Sequence, residues 1–222
     1  IQMAVESIRR GDTDAALAVA TDGSINAESL IRFSLLSALS TQNENPEQAS
    51  KPFSKKRDGF VMAEGAAALV LESMSSALQR GAEILGIVAG CGERADSFHR
   101  TRSNPDGSAV TGALLNALQD ASMNPDQIDY INAHGTSTPE NDKMESFACG
   151  MVFGERMRSL PISSNKSMIG HTLTAAGAIE AVISFLTMQN GILPPTINYT
   201  EPDLSIVLDV VPNTARVQKI CM

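Results

Sequence analysis

Two short apolar runs, 128–133 and 160–164, are each followed by a segment of helical periodicity, 142–153 and 175–190, and the second helix stops at Gly191. Strand-length apolar runs that alternate with helices bury their strands under crossover helices, which confines the chain to a layered α/β fold. The remaining pattern agrees. Residues 1–10 read as a helix ended by Gly11, 15–20 as a buried strand, and 28–39 as a helix through Leu30, Ile31, Phe33, Leu35, Leu36 and Leu39. Residues 41–59 are polar, carry Pro46 and Pro52, and read as loop. Strands are expected at 60–72 and 83–91, flanking a short helix that ends near Gly81. A polar loop at 96–107 and a helix at 109–121 follow, and two apolar runs close the chain. No linker-like tract, low-complexity segment or repeat divides it, so 1–222 is expected to be one compact unit.

Composition narrows the function. At 222 residues the chain can bury a real core. No apolar run approaches the roughly 20 residues of a membrane span. A net charge of −8 argues against a general nucleic-acid partner. The three cysteines, Cys91, Cys149 and Cys221, have neither metal-site spacing nor an even-numbered disulfide framework, and a reducing, cytoplasmic setting fits them best.

The chemistry gathers where the strands end. Of three histidines, His134 and His171 each follow a strand-like run and sit beside Gly, Thr or Ser, with Lys166 between them. Gly135 lets the backbone bend, and Thr136 and Thr138 offer hydroxyls at alternate positions to grip a polar substrate arm. Asp142 and Glu145 lie three apart on one helix face. His171 precedes a helix, whose N-terminal dipole lowers a histidine pKa and keeps the ring neutral. Two neutral histidines aimed at one carbonyl or carboxylate suit oxyanion stabilisation, and a lysine can orient one of them. His99, in the loop at 96–101, is as readily structural as functional. Asp142 reads as favouring the helix start, and Lys55, Lys56 and Arg57 as a solvated face.

At these residues the sequence resembles the β-ketoacyl-acyl carrier protein synthases, condensing enzymes of the thiolase superfamily, and most of all the elongating type II group. Besides the histidine and lysine segments, 57–66 (RDGFVMAEGA) resembles the family's RDGFV-x-x-EGA stretch, 191–198 its PPTxN element, and 9–14 its helix end and turn. The likeness runs through the whole chain in the family's order. It implies a thiolase-like αβαβα architecture, with 1–72 the remainder of a first half and 83–222 the second. It also implies a decarboxylating Claisen condensation between an acyl thioester and a malonyl thioester on an acyl carrier protein, by a homodimer that needs neither cofactor nor metal. By motif, His134 and His171 would stabilise the enolate oxygen, Lys166 would position or polarise the pair, Glu145 would support it, and Thr136 and Thr138 would hydrogen-bond the phosphopantetheine arm.

In the family the nucleophilic cysteine opens a helix whose later turns residues 1–10 resemble, and a Gly-Phe-Gly-Gly turn follows a stretch like 216–222. Neither lies in this chain, which therefore reads as an internal fragment, inactive alone; none of its cysteines matches the nucleophile by motif. The alternative is a non-catalytic, chain-length-factor-like or scaffold subunit, but such a partner has no need of both histidines and Lys166. A thiolase proper has no use for the histidine pair.

Overall fold

The structure is a computed structural model that describes residues 1–99 and 102–220. Helix α1 (Gln2–Arg9) leads through Gly11 into strand β1 (Ala15–Asp22), and Asn26 caps helix α2 (Ala27–Leu35) by accepting from the Ser29 N–H at 3.0 Å. Strand β2 (Gly65–Glu72) pairs antiparallel with β1 along its full length, from Ala15 opposite Glu72 to Asp22 opposite Gly65. Helix α3 (Met74–Gln79) is capped by Ser73, and helix α4 (Ser108–Asp120) follows after the polar loop. Strand β3 (Ile131–Asn132) then meets helix α5 (Pro139–Phe153), strand β4 (Pro161–Ser163), the short helix α6 (Lys166–Ile169) and the long helix α7 (Ala176–Asn190). Strands β5 (Ile192–Leu193), β6 (Asp209–Val210) and β7 (Arg216–Val217) complete the described chain.

Strands β3, β4 and β6 form a parallel sheet in that order, with Ile131 opposite Ile162 and Pro161 opposite Asp209. A parallel sheet is covered on both faces, and β4 is wholly buried. Phe53, Ala133, Ile162, Ile206 and Val210 pack as one core cluster, and Cys149, Phe153, Met157 and Leu160 as a second beneath α5. Helix α7 lies on one face of the β1–β2 pair; a Cβ on Gly65 would come within 2.9 Å of Ile179. Among the described residues nothing covers the opposite face: Leu17, Val19 and Val70 stand 64, 59 and 73% exposed.

Three expectations are corrected. Residues 83–91 form no strand among the described residues, although their burial alternates from Gly86 to Gly90 as a half-covered strand's would. A strand exists only by pairing its backbone groups with a neighbour, and none stands beside this segment among those residues. The strand expected at 60–72 begins at Gly65, with Phe60 and Met62 instead making single bridges to Leu39 and His171. Arg57 does not sit on a solvated face. It is 8% exposed, whereas Lys55 and Lys56 are exposed and both pair with Glu201.

Candidate active site

The parallel sheet delivers the site. His134 lies two residues beyond β3 and Lys166 three beyond β4, so the adjacent carboxyl ends of two paired strands supply both groups, at the edge where α/β sheets bind ligands. His171 arrives by another route: its N–H donates to the Val61 carbonyl at 2.7 Å and its carbonyl accepts from Ala63 at 3.0 Å. Gly170 makes that approach possible. Its φ is +73°, and a Cβ there would lie 2.8 Å from the Ala63 Cβ. The two histidine rings meet edge to face with centroids 5.2 Å apart, and Phe60 packs against His171 at 5.1 Å.

Lys166 is 2% exposed. Its Nζ donates to the His134 carbonyl at 2.6 Å, lies 3.4 Å from His134 Nδ1, and forms an ion pair with Glu180 of α7. A buried ammonium needs such a counter-ion. The Lys166 charge facing Nδ1 makes that nitrogen of His134 an acceptor. In His171, Nδ1 accepts the Leu173 N–H at 3.2 Å. Both rings thereby carry their proton on Nε2. Both are also held neutral. Burial first, then the Lys166 ammonium, lower His171 to about 4. The same causes, with His171 added, take His134 to about 3. One edge of His134 is open to solvent, which limits how far burial alone can depress it; the adjacent ammonium acts in the same direction. The helix start invoked from the sequence is therefore not the leading cause.

Glu145 receives the N–H groups of His134 at 2.7 Å and Gly135 at 2.8 Å, and so fixes the backbone of the turn rather than either ring. Burial raises its pKa, against those two hydrogen bonds. Thr138 caps α5, accepting from Asn141 at 3.3 Å, and its hydroxyl shares a 2.8 Å hydrogen bond with that of Thr136. Asp142 does more than favour a helix start. Wholly buried, it accepts from the Phe53 N–H at 2.8 Å and the Ser137 N–H at 3.2 Å. Glu180 is the residue that sequence reasoning missed; it sits within an alanine-rich helix, and only the fold carries it to Lys166. His99 is exposed in its polar loop.

Neither described cysteine sits in the setting of an activated thiol. Cys149 is buried in the second core cluster with its thiol pushed up to about 12, and burial also raises Cys91. Cys221 lies outside the described residues.

Profiles of the N-terminal and C-terminal domains of β-ketoacyl synthases match residues 1–77 and 85–200. The chain belongs to the β-ketoacyl synthase family. It is 45% identical over 217 residues to 3-oxoacyl-[acyl-carrier-protein] synthase 2 of Coxiella burnetii, covering 98% of this chain and 52% of that protein. Against the tetracenomycin polyketide synthase ketoacyl synthase alpha subunit of Streptomyces glaucescens it is 43% identical, over 97% of this chain and 50% of the relative. Among solved structures, a type II polyketide ketosynthase in complex with its acyl carrier protein superposes with a TM-score of 0.95 at 43% identity, covering 98% of this chain and 54% of that one. A β-ketoacyl synthase from Burkholderia phymatum superposes at 0.92 with 39% identity, over 97% and 52%. The architecture is thus the thiolase-like layered α/β fold, and the chain spans about half the length of the relatives it matches. Among the described residues no helix is long and apolar enough to cross a membrane.

Proposed function

We propose that the protein containing this chain is a 3-oxoacyl-[acyl-carrier-protein] synthase that elongates an acyl chain by decarboxylative condensation. The observation that carries the reading is the pair of neutral imidazoles, 5.2 Å apart, each with its proton on Nε2 and with Lys166 anchored behind one of them. In the condensation, the bond between the malonyl carboxylate and its α-carbon breaks and releases carbon dioxide. The electron pair moves into the thioester carbonyl, and the enolate oxygen accepts hydrogen bonds from the two Nε2–H groups. A preorganised neutral donor stabilises a developing oxyanion without having to lose hydration at that moment. The α-carbon then attacks an acyl thioester held on a cysteine, and the thiolate leaves. That cysteine comes from the remainder of the protein, so this chain alone forms no product.

Lys166 positions His134 and, with Glu180 as counter-ion, keeps a positive charge beside the pair. Glu145 supports the turn. Thr136 and Thr138 meet the phosphopantetheine arm; their mutual hydrogen bond commits one hydroxyl proton and leaves the other to donate. The partners are malonyl and acyl groups on an acyl carrier protein, and the assembly is a homodimer in a cytoplasmic setting. The test is product formation. Full-length protein given acyl- and malonyl-loaded carrier protein should yield the 3-oxoacyl product, two carbons longer, by mass spectrometry. Absence of product with correctly loaded carriers would remove the reading.

A further inference from the structure

Arg57 has no role in the chemistry just described, yet it is the most deeply buried arginine described, with its side chain 5% exposed. Its Nη1 donates to Asp203 and to the Ser54 carbonyl, at 2.8 and 2.9 Å, and its Nη2 reaches the Pro139 carbonyl at 3.4 Å. Its Nε makes no hydrogen bond but faces Asp142 Oδ2 at 3.4 Å. Asp142 in turn clamps two segments together through the Phe53 and Ser137 N–H groups, and also accepts from Asn141 Nδ2 at 3.2 Å. Both clamped residues are non-glycine with positive φ, +65° at Phe53 and +68° at Ser137. Such backbone persists only where its surroundings hold it. Ser137 belongs to the turn that begins at His134, and Glu145, one helical turn after Asp142, holds the turn's other end.

Resting on the function proposed above, we propose that Arg57 is a positioning residue for malonyl decarboxylation: as counter-ion to Asp142, it keeps that carboxylate charged and so holds the turn at 134–138 in the shape that presents His134. The clamp is strongest with the anion. A protonated Asp142 carries an O–H donor on one oxygen, which weakens that oxygen as an acceptor for the Phe53 or Ser137 N–H. Burial already pushes Asp142 up to about 6, and Glu145 adds to the rise. The charges that face Asp142 are Arg57 from the loop before it, Glu145 on its own helix and, through Arg57, Asp203. The Phe53 N–H and Asn141 hydrogen bonds oppose burial first, and Arg57 adds the one cation among the groups that face this carboxylate. Burial and the Lys166 charge push both histidines down, whereas Asp142 is pushed up, so the acid limb in question is the one that Asp142→Asn removes.

The test follows malonyl-coenzyme A decarboxylation by the full-length protein across pH, with folding checked by circular dichroism. Arg57→Gln should move the acid limb upward by up to about one pH unit, the low end of what a neighbouring charge is worth. For a one-unit move, activity then falls about twofold at pH 7 and returns towards the parent's in alkaline buffer. A merely structural lesion would not be rescued by alkali. Arg57→Lys, which keeps the charge but not the fork, should displace the limb less than Arg57→Gln does. Asp142→Asn, which cannot titrate, should be weakly active with that limb absent. A folded Arg57→Gln protein with the parent's pH profile overturns the proposal, as does activity lost equally at every pH. If Arg57→Gln does not fold, the other two variants decide: a limb retained in Asp142→Asn, or displaced as far in Arg57→Lys as expected for glutamine, overturns it. A parent inactive at every pH would instead remove the proposed function itself.

Discussion

A carboxylate, a lysine and two histidines owe their character here to where the backbone places them. His171 titrates at about 4 in the folded chain against an ordinary 6.5. A histidine whose folded pKa is depressed binds fewer protons folded than unfolded, so its contribution is present above 6.5 and is lost as pH falls towards 4. Stability should therefore decline through that window, by at most ~1.4 kcal/mol per pH unit for this residue. His171→Gln should flatten the decline in denaturant unfolding at several pH values, and an unchanged slope would count against the buried, neutral ring. Asp142 works in the opposite sense. Its raised pKa means that its contribution is present below 3.8 and lost as pH rises through about 6. Gly135 offers a second check at this scale. Its φ is +37°, and a Cβ would lie 2.5 Å from the Ser164 Cβ and 2.7 Å from its Oγ, which donates to the Gly135 carbonyl. Gly135→Ala should cost roughly 2 kcal/mol or more in unfolding free energy.

Among elements, those with their own periodicity and end signals were legible in the sequence. Helix α7 runs to Gly191, whose φ of +62° and N–H to the Thr187 carbonyl make the expected left-handed stop. Helix α5 and the strands before His134 and Lys166 also lie where the apolar pattern indicated. Elements that depend on a distant partner were not legible. The 83–91 segment has strand composition but finds no strand neighbour among the described residues. Arg57 shares a basic run with two exposed lysines, and only the return of the chain at Asp203 and α5 buries it. Glu180 was hidden for the same reason: one acidic residue in an apolar helix signals nothing until α7 crosses behind Lys166. Replacing Glu180 by Leu leaves that ammonium buried and unpaired. Loss of one partner of a buried pair costs about 3–5 kcal/mol, so the denaturant midpoint should fall markedly. An unshifted midpoint would show that the pair contributes no more than a surface one.

At the scale of the whole molecule, the chain displays an apolar face that none of the described residues covers. Leu17, Val19 and Val70 line the outer side of the β1–β2 pair, and α2 buries none of its residues, with Ile31 and Leu35 at 60 and 80% exposure. Apolar side chains exposed together on one strand face mark a site of contact, in keeping with relatives about twice as long. Expressed by itself, the chain should self-associate in sedimentation velocity; a compact, well-behaved monomer would contradict that.

His134 and His171 are assigned to the malonyl unit and not to the acyl unit, and measuring the two half-reactions separately distinguishes these roles. In the full-length protein, carbon dioxide release from a labelled malonyl thioester and acyl loading of the cysteine, read by intact mass, are measured side by side. His134→Ala and His171→Ala should each lower decarboxylation by about 10²–10³-fold, the scale of one lost oxyanion donor, while acyl loading stays near that of the parent. Variants that release carbon dioxide at the parent's rate, or that fail to load the acyl group, would contradict the account.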